Sequence, residues 1–126
     1  MLFRSKLNKQ NRKRRELAFR YNELLSPYVE VPQEGEGEYC VFQTYVIKAN
    51  NRDKLKKYLN DQGIEAIIHY PLPIHLQPAA KYLGYSELDF PNTMQHVSQI
   101  LSLPLYPSMT LTQQDYVIER IKNFFT

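Results

Sequence analysis

The stretch IEAIIHYPLPIH, Ile64 to His75, changes physical character twice within twelve residues. Residues 64 to 68 are apolar and β-branched enough for a short buried strand. Tyr70, Pro71, Pro73 and His75 then stop it. Proline lacks the ladder donor and biases the residue before it toward extended geometry, so the segment is expected to leave the sheet as a stiff, extended loop. His69, Tyr70 and His75 therefore read as candidate binding residues on a rigid loop at a strand end, where binding groups are usually carried. The rest of the chain reads as scaffold for that loop.

A chain of 126 residues that is 43% hydrophobic can build one ordinary core and is too short for two domains of typical size. The longest apolar runs are only a few residues, and Met1 to Lys6 is not followed by the apolar stretch of a signal peptide. A soluble, cytoplasmic chain with no membrane partner is expected. Cys40 is the only cysteine, which excludes an internal disulfide and a multi-thiolate metal site within one chain. His69, His75 and His96, with or without Cys40, have no recognised ligand spacing, so no metal is expected. The net charge of +3 hides an asymmetry: residues 1 to 20 carry eight Lys/Arg against Glu16, whereas the remainder carries eight against twelve Asp/Glu. The basic end suits phosphates, an acidic protein surface or solvent alone.

Working outward, Phe3 to Ser26 contains no proline or glycine and predicts one long helix ending before Pro27. Leu17, Ala18, Tyr21, Leu24 and Leu25 recur at helical spacing, but Asn8 to Glu16 holds no apolar residue, and Leu2, Phe3 and Leu7 lie beyond that gap. Such a helix projects from its core. Tyr28 to Val31 reads as a short strand, and Pro32 to Glu38, with EGEGE, as an acidic hairpin loop whose glutamates would repel phosphate. Tyr39 to Ala49 reads as the best strand, apolar on both faces, with Cys40 buried inside it.

Asn50 or Asn51 can cap the next helix, which places Asp53 in its first turn, carries Leu55, Tyr58 and Leu59 inward and stops at Gly63. With strands 39 to 49 and 64 to 68 it forms a β-α-β unit, right-handed if the strands run parallel. A short helix near 78 to 83 is closed by Gly84. Asn92 or Thr93 caps a helix through about Leu101, facing Val97, Ile100 and Leu101 inward, and LPLYP at 103 to 107 must be extended. Thr112 and Asp115 have capping-box-like spacing ahead of Val117, Ile118, Ile121, Phe124 and Phe125, an amphipathic final helix. The fold class is α+β: a small, mostly antiparallel or mixed sheet of about three strands covered by helices, preceded by a long N-terminal helix.

Five phrases, NRDKL at 51 to 55, QGI at 62 to 64, HYPLPIH at 69 to 75, DFP at 89 to 91 and LSLPLYP at 101 to 107, occur in order. Together they resemble the C-terminal end of the DegT/DnrJ/StrS family of pyridoxal-phosphate-dependent nucleotide-sugar aminotransferases. KRRELAFRY at 13 to 21 is similar to the long helix that joins that family's two domains, so the resemblance spans roughly residues 4 to 126. It implies residues 1–26 as an interdomain-type helix and 27–126 as a small C-terminal domain like that of fold-type I enzymes. In the intact enzyme it implies a homodimer that uses pyridoxal phosphate (PLP) to pass an amino group, typically from glutamate, to a keto-sugar nucleotide in amino-sugar or cell-surface polysaccharide biosynthesis. The Schiff-base lysine belongs to a large catalytic domain whose motifs do not occur here. No cofactor is therefore expected on this chain alone, and none of its residues is expected to be catalytic.

The resemblance implies substrate contact for His69, Tyr70 and His75. It also shows departures: Met94 stands where many members have glutamate, Gln43 about where they have histidine, and Ile74 replaces the commoner leucine. A second reading is a stand-alone remnant that binds a protein, phosphate or nucleic acid through the basic helix. Against nucleic acid, the basic residues lie all around the helix and no aromatic residue interleaves with them between Lys6 and Arg15.

Overall fold

The computed structural model describes residues 2–126; the side chains of Leu2, Phe3 and Ser5 lie outside the described residues, so of the expected Leu2/Phe3/Leu7 patch only Leu7, half exposed, can be placed. The long helix α1 runs Leu2–Leu25. Among the described residues, it is the second half of α1 that supplies fully buried side chains, Leu17, Ala18, Tyr21 and Leu25. That spacing puts the four on one helical stripe. Residues 8 to 10 are exposed, as their polarity predicts.

The sheet has two four-residue strands, β1 (Tyr45–Lys48) and β2 (Ile100–Leu103), paired antiparallel with Tyr45 opposite Leu103 and Lys48 opposite Ile100. Single antiparallel bridges flank it, Glu30 to Lys48 on one side and Ile67 to Ser102 on the other. Because Ile67 opposes β2 and β2 opposes β1, the segment at 67 runs in the direction of β1. The expected β-α-β unit is therefore split, with β2 between its two parallel members. Helix α2 (Arg52–Asp61) makes the crossover, with Leu55 and Leu59 buried. Helix α3 (Pro91–Gln99) leads into β2, and α4 (Leu111–Phe125) packs on both α1 and α2. The α+β class with a small antiparallel sheet and a long leading helix is thus the observed architecture.

Several element readings shift, each for a local reason. The strand expected over 39 to 49 narrows to β1, because residues before it are tied to α1 instead of to a neighbour strand. Arg15 forms a two-pronged ion pair with Glu34, donates to the Cys40 carbonyl at 2.6 Å and lies 3.9 Å over the Tyr39 ring. Phe42, at φ 48°, then turns the chain inward. Cys40, expected buried, is exposed on this strap. The expected strands at 28–31 and 64–68 contract to the two bridges. The helix expected to reach Leu101 ends at Gln99, where the buried Arg52 guanidinium donates to the carbonyls of Val97 (2.9 Å) and Ile100 (2.8 Å). Val97 lies in the last turn of α3 and Ile100 just past it, so both carbonyls are free to accept.

Asn51 precedes α2 in the left-handed region without a side-chain cap. The capping box of α4 is Thr110 with Gln113, two residues before the expected pair: Thr110 Oγ1 accepts from the Gln113 N–H at 3.1 Å and Gln113 Oε1 accepts from the Thr110 N–H at 2.9 Å. Between α2 and α3 lie three 3₁₀ turns, Ile74–Leu76, Pro78–Leu83 and Glu87–Asp89, none of which buries a residue.

Candidate functional site

The loop after Ile67 is fastened to β2 by its own backbone. Ile67 N–H donates to the Ser102 carbonyl (3.2 Å) and Ser102 N–H to the Ile67 carbonyl (2.8 Å). The buried Ser102 also holds the next ring, its Oγ lying 2.9 Å from His69 Nδ1. Flanked by Leu101 and Leu103 on β2, Ser102 is the polar residue that sequence reasoning missed. Its one signal is a hydroxyl in the middle of LSL. Tyr70 stands edge-on to His69, ring centroids 5.5 Å apart, and is 71% exposed. The strand end therefore presents one fixed imidazole beside one free phenol.

His75 belongs to a second cluster. Its ring packs 4.7 Å from Phe90, which meets Tyr85 edge-on at 5.2 Å. These residues, with Ile74, Ala80, Leu83 and Thr93, line an apolar pocket of about 340 Å³. Phe90 is delivered by the turn before it: Ser86 donates to Asp89 Oδ2 from its backbone N–H (2.7 Å) and from Oγ (2.9 Å), which holds the Asp89 carboxyl below its usual range. His75 Nε2 is buried and has no hydrogen-bond partner among the described residues. Met94, whose N–H donates to the Phe90 carbonyl at 3.0 Å, sits one helical turn below Phe90.

So the structure brings His69 and Tyr70 together and puts His75 elsewhere. The chemistry available at the strand end is recognition: aromatic stacking and hydrogen bonding to hydroxyl or phosphate. Among the described residues, no group of three or more His, Cys, Asp or Glu could hold a metal ion. No helix among them is long and apolar enough to cross a membrane.

The model of the DegT/DnrJ/EryC1/StrS aminotransferase family matches residues 5–122. The chain is 40% identical over 123 residues to a pleiotropic regulatory protein of Geobacillus stearothermophilus, covering 94% of this chain and 33% of that protein. It is 31% identical to dTDP-3-amino-3,6-dideoxy-alpha-D-galactopyranose transaminase of Aneurinibacillus thermoaerophilus, covering 95% and 33%. Its fold is similar to that of S. venezuelae DesV, solved in complex with a ketimine intermediate, with a TM-score of 0.90 at 29% identity over 95% of this chain and 33% of DesV. The chain spans about a third of the length of the curated relatives it matches.

Proposed function

The chain belongs to the DegT/DnrJ/EryC1/StrS aminotransferase family, and we propose that it works as the small domain, with its connecting helix, of an aminotransferase acting on keto-sugar nucleotides. The supporting observation is that likeness to sugar aminotransferases runs through nearly the whole chain in sequence and in fold. Residues 1–26 serve as the connection and 27–126 as the domain. The family is PLP-dependent. When bound, the cofactor supplies the electron sink and carries the amino group.

The residues of this chain do not fit the cofactor. A Schiff base needs a lysine held in a pocket, and here every lysine is exposed or half exposed, with Lys48 paired to Glu30 and Lys57 to Asp61. Cofactor and catalytic lysine therefore belong, in this proposal, to a large domain of a dimeric enzyme in the cytoplasm. What this chain contributes is position. Tyr70 is free to stack on or bond to the sugar nucleotide. His69, with Nδ1 fixed by Ser102, offers its other nitrogen to a hydroxyl or phosphate. His75 is the third residue of the proposed contact set, and it anchors the far end of the loop.

The test is expression of the chain together with its upstream coding sequence. The full protein should convert a dTDP- or UDP-linked keto sugar to the amino sugar with glutamate, and Tyr70→Ala should raise KM more than it lowers kcat. An upstream frame without a lysine-bearing domain, or a full protein that leaves keto sugars untouched, overturns the proposal.

A further inference from the structure

Among the described residues, half of the large apolar side chains left exposed, eight of sixteen, fall between Tyr70 and Phe90. They are Tyr70, Leu72, Ile74, Tyr82, Leu83, Tyr85, Leu88 and Phe90, of which Ile74, Tyr82 and Leu88 are 81%, 84% and 89% exposed. Scattered apolar residues on a surface are ordinary, but a concentrated patch marks an interaction site. The three 3₁₀ turns that carry most of them place nothing in the core. The apolar pocket of about 340 Å³ opens on this face, lined by Ile74, Leu83, Tyr85 and Phe90, with room for one large side chain of a partner. Lys81, Glu87 and Asp89 are the only Lys, Arg, Asp or Glu between Tyr70 and Phe90, so the face is sparsely charged as well as apolar. That composition suits burial against protein and does not suit phosphate-rich partners.

We infer that the face formed by residues 70–90 is a docking surface for polypeptide, and that its occupant is the remaining two-thirds of the longer protein, seated with one aromatic or branched side chain in the pocket beside Phe90. The assignment rests on the aminotransferase reading. The relatives carry about two-thirds of their length outside the matched part, enough polypeptide to cover such a face. Tyr70 lies at the start of this face and His69 is fixed just before it, so docking places the proposed substrate contacts at the seam between the two bodies.

The experiment compares this chain with a full-length chimera in which it replaces the matched third of the Geobacillus stearothermophilus relative. Hydroxyl-radical footprinting reads Ile74, Tyr82 and Leu88 in both. In the isolated chain all three should be modified freely at every protein concentration. In the chimera their modification should fall about tenfold, as for residues at a water-excluding interface. Equal reactivity in both proteins overturns the docking surface. Protection that already appears in the isolated chain, with a dimer in sedimentation, makes a second copy the occupant and also overturns it. Aminotransferase activity of the chimera is read separately. An inactive chimera with a protected face leaves docking standing while the functional proposal fails, and an active chimera with an unprotected face does the reverse. As a second line, Ile74→Glu with Leu88→Glu should leave the Tm of the isolated chain unchanged and restore footprinting of Tyr82 in the chimera.

Discussion

The two ends of this molecule are built on opposite terms. Around β1 and β2, every packing face is met by another part of the same chain: α1 brings Tyr21 to Tyr45, ring centroids 4.8 Å apart, and α4 brings Gln114, whose Nε2 donates to the Leu17 carbonyl at 2.7 Å. From Tyr70 to Phe90, the apolar side chains are as large but meet water. The first region is closed by contacts within the chain; the second keeps its shape through prolines, short turns and the Ser86–Asp89 clasp. The apolar side chains are thus divided between a side closed by the chain itself and a side open to solvent.

The sharpest test of that contrast is truncation on each side. Leu55→Ala, in the closed core, should lower unfolding free energy by about 3 kcal/mol, whereas Leu88→Ala should change it by less than about 0.5 kcal/mol. Urea denaturation measures both. Similar losses would break the comparison.

The next effect separates polar from apolar closure of the core. Tyr45 OH donates to Asn22 Oδ1 at 2.7 Å, and Tyr45→Phe should cost about 1 kcal/mol in the same urea experiment. Burial pushes the Tyr45 hydroxyl pKa up, and burial followed by the neighbouring Tyr45 does so for Tyr21. The unfolded chain ionises these phenols near pH 10 while the folded chain keeps them neutral, so their stabilisation is present below about pH 10 and is lost as pH rises above it. Thermal melts between neutral and strongly alkaline pH should show that fall, reduced in the Tyr21→Phe/Tyr45→Phe double variant.

The smallest effect is local. Arg15, then the Cys40 N–H, hold the Glu34 carboxyl below its usual range, so the strap's contribution is present above the ordinary carboxylate range and is lost as pH falls through the lowered value. Glu34→Gln should speed hydrogen exchange of the Cys40 amide at neutral pH and leave the amides of β1 unchanged.

Much of the closed region was legible in the sequence, because helices announce themselves locally. The stripe from Leu17 to Leu25, the stripe of Leu55 and Leu59, and the run from Val117 to Ile121 each carry their own period. The sheet was less legible because pairing is decided at a distance. Nothing near Tyr39 reveals that Arg15, on another element, will hold Glu34 and the Cys40 carbonyl and so delay the strand to Tyr45. Nothing in Ile100 to Leu103 says strand until Arg52 is seen taking the carbonyls where α3 ends. At the candidate site, prolines correctly marked the loop, and His69 with Tyr70 could be read as neighbours. The separation of His75 from them could not, since it depends on where the turn at Ser86 to Asp89 delivers Phe90.

The single bridges at Glu30 and Ile67 carry one last consequence. Each lies against an outer edge of the two-stranded sheet, and Pro32 and Pro71 follow within a few residues, so neither edge offers a free run of backbone donors and acceptors. Both edges are therefore blunted against a neighbouring chain that would add a strand. Side-chain fit is then a better route to this molecule than strand addition, the step on which cross-β stacking depends.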